Sequence, residues 1–570
     1  ADLRRNVLAF LSLERYKQRD RLQADTLGRL QGRAEREVKA ALRPYGFYDP
    51  VIRTQLAEVG NGRDWRVLID IDPGQPVVMT DVRVLVTGPG GDDPVFQRVL
   101  ANIKLRRGDR LNHRSYDETK GNLQRTAATY GYLDARLVES ELRVDPPQHT
   151  AAARLELVTG VRYRFGPTTI EQAVIGETLV RRYLRYREGG LYDATELLRT
   201  QFALDDSQYF STVEVLPGER DTQTHIVPVH IRGDAARRNR YQFGLGYGTD
   251  TRGRGTVAWD DRRINSAGHR SHVELRAASQ QATLDARYLI PFGDPALEKL
   301  TLELSAERSR ETADLTFNQL AFQPSITQVL GRWQRVFFTI FTNTRTDTVA
   351  GSSTDTLLIP GVSYSAVPRG FLGEALFSRA FYAELRGSNH VLGSNSDFLQ
   401  LRLQGERVFE LSTDWHLLVR SELGSTAVSN FGALPGSQRF FAGGDRSVRG
   451  YGFNDLSPVT EDPTTHLPVK EGGRNLLTGA VEIERDLPRN FGVALFVDAG
   501  NAFNTIRNFK YSVGVGLRFR LSVVTVGIDV AQPLVGVDCL NTVAATDPRC
   551  RNGVLDRGGP RLHLNFSPKL

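Results

Sequence analysis

From about Asn239 to the C-terminus the chain is written in period two. Across Tyr511–Arg520 each odd position is apolar or aromatic and each even one small or polar, and Val524, Val526, Ile528 and Val530 then alternate with Thr525, Gly527, Asp529 and Ala531. Side chains leave a strand on opposite faces in turn, so this pattern specifies β-strands with one apolar face. Length separates a soluble sandwich from a membrane barrel. Leu300–Arg310, Trp333–Asp347 and Phe398–Leu411 run to about 11–15 residues, whereas globular strands average five or six and tilted membrane strands need about 9–11. Tyr241, Trp259, Trp333 and Trp415 fall towards segment ends, where the interfacial girdles of a membrane barrel lie. About sixteen such segments follow Asn239, an even number that closes a barrel and leaves no sheet edge in hydrocarbon. Apolar runs as short as Ala494–Val497 exclude a membrane helix, which needs roughly 20 residues.

The first 233 residues read differently. Tyr45-Gly46-Phe47-Tyr48-Asp49 is echoed by Tyr130-Gly131-Tyr132-Leu133-Asp134 and, in degenerate form, by Ser207-Gln208-Tyr209-Phe210-Ser211. Each copy follows a helical pattern (31–43, 115–129, 194–206) and precedes a strand (Val51–Leu56, Ala135–Leu142, Thr212–Leu216). A second echo leads from Pro73-Gly74 and Thr159-Gly160 into Val82–Val86 and Tyr163–Phe165. The spacing predicts a strand-helix-helix-strand-strand unit three times, bounded at 1–79, 80–160 and 161–236, with the barrel over 237–570. The first copy lacks its opening strand, because Ala1 leads almost directly into a helical pattern, Val7–Tyr16. No secretory leader precedes Ala1, which leaves a cytosolic chain or a mature exported one.

Composition removes several function classes. The net charge is +7 with an isoelectric point near 9.3, but 73 Lys and Arg are dispersed among 66 Asp and Glu, which does not describe a nucleic-acid surface. The histidines show no metal-ligand spacing, and no Gly-x-Ser-x-Gly elbow or phosphate-binding Gly-Lys-Ser/Thr occurs, so the expectation is no catalytic site, no metal and no cofactor. The two cysteines, Cys539 and Cys550, are close enough to close a small loop as a disulfide in an oxidising compartment; two unpaired thiols are the other reading.

The strand pattern breaks for longest between about Leu434 and Arg474. This stretch holds Arg439-Phe440-Phe441-Ala442-Gly443-Gly444-Asp445-Arg446-Ser447-Val448-Arg449-Gly450-Tyr451-Gly452, too aromatic for a solvated loop. Gly479-Ala480-Val481-Glu482 and Phe496-Val497-Asp498-Ala499-Gly500 lie on the two strands after it. Parity puts Glu482, Phe496 and Asp498 on the lumenal face, because Val481, Ile483, Leu495 and Val497 take the lipid side.

In these motifs the chain resembles the BamA-like superfamily of outer-membrane assembly factors, in which polypeptide-transport-associated (POTRA) domains precede a sixteen-stranded barrel. Within it, the Arg439–Tyr451 string, three N-terminal repeats and a Pro-x-Leu terminus are most similar to the TamA family. The resemblance implies that Val448-Arg449-Gly450-Tyr451, with Asp445 and Arg446, forms the tip of extracellular loop six, folded back into the lumen where Glu482, Phe496, Asp498 and Gly500 receive Arg449. It further implies a bacterial outer-membrane location with periplasmic repeats, unfolded outer-membrane or autotransporter-type clients, a TamB-like inner-membrane-anchored partner, and contact with outer-membrane lipid. A two-partner secretion pore and a passive porin are the alternative readings. Finally, the ends of the barrel suggest a weak seam. Gly244, Gly246 and Gly248 share one face of the first strand, while the last carries Leu564 and Phe566 on its lipid face and ends at Pro568, where its pairing is expected to stop.

Overall fold

The computed structural model describes the chain apart from residues 1, 18–22, 60–63, 249–251, 313–314, 349–350, 367–380, 462–467, 507–508, 522–523, 540–549, 552–553, 556–557 and 569–570, and apart from the side chains of 64, 311–312, 468, 524–525, 550–551, 554–555 and 565–568. It divides into two compact units. One comprises Ala1–Glu171, Leu184–Phe202 and Val213–Arg232; the other comprises Gln172–Tyr183, Ala203–Thr212 and Gly233–Leu570.

The chain starts with α1 (Asp2–Phe10), α2 (Ser12–Tyr16) and α3 (Ala24–Leu42), followed by β1 (Val51–Val59) and β2 (Asp64–Asp72), an antiparallel pair. The helix expected over Val7–Tyr16 is broken at Leu11, whose backbone is extended. The reason lies across the fold: Glu37 on α3 accepts from the backbone amide and hydroxyl of Ser12 at 2.8 and 3.0 Å, capping a fresh helix there. α3 buries Leu27, Leu30, Ala34, Val38 and Ala41, a three-and-four spacing that makes one apolar stripe. Among the described residues this first sheet has two strands.

The next two sets are complete. β3 (Val78–Thr87), α4 (Pro94–Ala101), α5 (His113–Thr129), β4 (Arg136–Asp145) and β5 (Thr150–Val158) give a sheet ordered β3-β5-β4, with β3 parallel to β5. β6 (Arg164–Glu171), α6 (Glu177–Tyr183), α7 (Ala194–Asp206), β7 (Phe210–Pro217) and β8 (Ile226–Ala235) repeat it as β6-β8-β7. The Tyr-Gly echo now has a physical cause. Gly46 and Gly131 both sit at positive φ (84° and 82°), ending a helix in the left-handed conformation. Both carbonyls accept a 2.8 Å bond from the segment entering the next repeat, from Val77 and Tyr163 respectively. The third copy places Gln208 at φ 60° in the same role, which is why its sequence looks degenerate.

A buried polar knot joins the second set to the segment leading into β6. Asp93 caps α4 through the Val95 amide (3.0 Å), accepts from the Tyr132 hydroxyl (2.7 Å) and pairs with Arg162 (3.2 Å). Burial alone would raise the Asp93 carboxyl, but these three partners outweigh it and hold it below the usual carboxylate range. Burial and the same carboxylate push the Tyr132 hydroxyl up to about 12. A depressed carboxylate stabilises the fold above the ordinary value of about 3.9 and loses that contribution as pH falls through the depressed value. Asp93→Asn should therefore lower the hydrogen-exchange protection factors, each taken against the intrinsic rate at that pH, over residues 93–101 at pH 7, and should lose less further protection than the wild type on going to pH 3.

The remaining chain is a closed antiparallel barrel of sixteen strands. Strand one is Asn239–Gly248, two Arg252–Asp261, eleven Trp415–Ala427, twelve Asn475–Leu487, thirteen Phe491–Phe503, fourteen Lys510–Arg520, fifteen Val524–Pro533 and sixteen Arg561–Pro568. Alternation sorts the faces as parity requires: Leu245 is 93% and Leu495 65% exposed on the outer wall, while Asp498 is fully buried inside. One expectation needs correction: the break in strand pattern begins just after Ala427 and contains a short hairpin, Val459–Glu461 with Pro468–Lys470. The described ladder between strands fifteen and sixteen ends with Val524 opposite Pro568.

Candidate functional site

The loop between strands eleven and twelve turns back into the barrel and builds a small core of its own. Phe440, Ala442, Val448, Tyr451 and Leu456 are buried together against Leu476 and Ala502 of the wall. This burial is what the unusual aromatic content of the loop supplies. Gly450 makes close approach possible, because a Cβ there would stand 2.5 Å from the Ser512 Cβ and 3.0 Å from the Pro533 backbone. The Tyr451 hydroxyl lies 2.7 Å from the Val535 carbonyl and 3.0 Å from that of Tyr511. The loop tip is thereby set against strands fourteen and fifteen.

Arg449 is the centre of the arrangement. Its Nε and Nη2 grip the two oxygens of Asp498, each at 2.8 Å, and its backbone amide donates to the same carboxylate at 3.0 Å. Nη1 donates to Glu482 at 2.7 Å and stands 3.5 Å from Asp529. The guanidinium lies over the Phe496 ring, 3.3 Å from its centroid. Arg518 closes the circuit by pairing with Glu482 at 2.7 Å and Asp529 at 2.5 Å. A planar fork on a buried carboxylate, with every oxygen partnered, is the geometry in which desolvating charge is tolerable. Gly500 serves the wall itself, since a Cβ there would meet the Leu477 carbonyl at 2.6 Å.

Four of the loop residues singled out by sequence, Val448, Arg449, Gly450 and Tyr451, are thus buried against the wall. Asp445 and Arg446 instead line a lumenal cavity of about 570 Å³ shared with Arg254 and Arg276 of the second and third barrel strands. The seam residues are elsewhere. Strand one pairs with strand two over ten residues and strand sixteen with fifteen over eight, but strands sixteen and one share one pair among the described residues, Asn565 opposite Gly248. Gly246 also has a local role: it faces Arg254, whose side chain would collide with a Cβ. Leu564 is half-buried, and the side chains of Phe566, Pro568 and Cys550 lie outside the described residues. Among the described residues no cysteine is free.

The sequence profile of the Omp85 superfamily domain matches residues 233–539, more than half of the chain. The chain belongs to the Omp85 superfamily. A profile for POTRA domain TamA domain 1 matches residues 1–73. Outer membrane protein assembly factor BamA of Buchnera aphidicola subsp. Acyrthosiphon pisum (strain APS) is 20% identical over 203 residues, 35% of this chain and 32% of that relative, so the alignment spans about a third of its length. In fold, BamA from Haemophilus ducreyi lacking POTRA domains 1–3 superposes with a TM-score of 0.68 at 14% identity, covering 86% of this chain and 99% of that one. CdiB from Acinetobacter baumannii follows at a TM-score of 0.47 and 13% identity, covering 86% of this chain and 89% of that one, too low a likeness to carry an argument. As an Omp85 protein with a POTRA match at its start, the chain lies in the outer membrane with its N-terminal POTRA region periplasmic.

Sequence parity reached Glu482, Phe496 and Asp498 of this Omp85 barrel but missed Arg518 and Asp529. Both occupy polar positions of alternating strands, so they carry the same lumenal signal; what parity lacks is the register. Strand fourteen sets Gly516 opposite Asp529 and, through Gly514, abuts Phe496 on strand thirteen. That places both residues at the height of Arg449.

Proposed function

We propose that the chain assists unfolded β-barrel or autotransporter-type clients into the outer membrane, receiving them on its POTRA repeats and templating them at the seam between strands one and sixteen. The observation that carries this reading is the seam itself, one described backbone pair where the flanking ladders have eight and ten. Unpaired main-chain groups at a strand edge offer hydrogen bonds to an incoming strand with little demand on its sequence, and no nucleotide is needed for such an exchange. The TamA-type match over residues 1–73 supports a TamB-like periplasmic partner, and the lipid-facing wall supports contact with outer-membrane lipid during transfer.

The test is reconstitution. Vesicles holding the full chain should fold an unfolded outer-membrane barrel at least about tenfold faster than protein-free vesicles, as read by protease resistance of the client. Equal rates would overturn the reading.

A further inference from the structure

The closing strand is attached to something other than its neighbour across the seam. Arg561, His563 and Asn565 share one face of strand sixteen, by period two. Asn565 carries the described pair with strand one. Arg561 Nη2 lies 3.5 Å from Asp455 of the lumenal loop. His563 is 3% exposed, sits opposite Asp529 on strand fifteen, and its Nε2 meets the carbonyl oxygen of Arg449. A carbonyl only accepts, so Nε2 carries the proton and donates.

We propose that His563 is a positioning residue, tying strand sixteen to the loop motif so that the seating of Arg449 fixes where the closing strand stands. The logic is one of shared atoms. The Arg449 guanidinium and amide are fixed by Asp498 and Glu482, and the carbonyl of the same residue receives His563. One buried residue thus joins strands twelve, thirteen and sixteen. Two residues beyond His563 lies Asn565, so an error in the placement of His563 is passed directly to the seam. Displacing the loop withdraws the carbonyl and leaves strand sixteen held by its ladder to strand fifteen and, on the seam side, by the one described pair with strand one. This inference rests on the seam reading above for its consequence, though not for its geometry.

The experiment is hydrogen exchange on the full chain in phospholipid nanodiscs. His563→Ala should exchange about tenfold faster than the wild type over residues 561–566, with 298–330 on the far wall unchanged. His563→Gln, whose amide replaces the Nε2 donor, should return the rate to within about threefold. Unchanged exchange in the Ala variant, acceleration spread evenly round the barrel, or no recovery in the Gln variant would each overturn the proposal. Should His563→Ala not fold, His563→Leu serves as the donor-free variant against the same Gln control. If exchange behaves as expected while a covalently locked seam still assembles clients at the unlocked rate, the seam reading falls and the role of His563 stands.

Discussion

Arg449→Ala is expected to cost about 3–5 kcal/mol of barrel stability, close to the value for breaking a buried ion pair from one side. The cost concentrates on Asp498. Glu482 and Asp529 retain Arg518, whereas Asp498 is fully buried and loses both guanidinium bonds. An uncompensated carboxylate there must find water or a proton, and either outcome unseats the loop. Protease cleavage near Tyr451, absent from the wild type, is the direct readout, with the urea midpoint as the second. Arg449→Lys should fall between the two, since an ammonium keeps the charge but cannot fork onto both oxygens of Asp498. Adding Asp498→Asn to Arg449→Ala should restore part of the loss, because the orphan charge is then gone. Equal protease protection in the wild type and Arg449→Ala would mean that the pair does not hold the loop.

The barrel was legible because hydrocarbon leaves little freedom: period two, strand length and aromatic ends all follow from burying one face in lipid. Glu482 and Asp498 could be placed by parity alone, since Val481 and Val497 had to face outwards. Their partners Arg518 and Asp529 could not, because which residues stand level across strands depends on stagger, a property of the closed sheet. Local sequence also underdetermined the breaks. The helical pattern breaks at Leu11 because Ser12 is held by a carboxylate 25 positions beyond it, and Gln208 adopts a glycine-like φ that its residue type does not announce. The glycines of strand one illustrate the same limit. Read alone they mean flexibility, but opposite Arg254 the absence of a side chain at Gly246 is what lets the guanidinium lie across the strand.

Locking the seam should stop client assembly. Register decides where the lock belongs: Gly248 faces Asn565, so in an antiparallel pair Gly246 falls opposite Ser567. Directly opposed strand residues have Cα atoms about 4.5–5.5 Å apart, within the range a disulfide spans. Gly248→Cys with Asn565→Cys, the native cysteines left in place, should therefore oxidise readily and reduce the client-folding rate at least about tenfold. Reductant should bring it back. The single variants separate this effect from reduction of Cys539 and Cys550, since neither can lock the seam. The magnitude follows from what an incoming strand needs, an edge whose N–H and C=O groups are unpaired; a covalent tie at the described pair prevents strands one and sixteen from parting there. If the oxidised double variant folds clients at the reduced rate, templating at this edge is excluded, and the short ladder between strands sixteen and one is then only a way of closing a curved sheet.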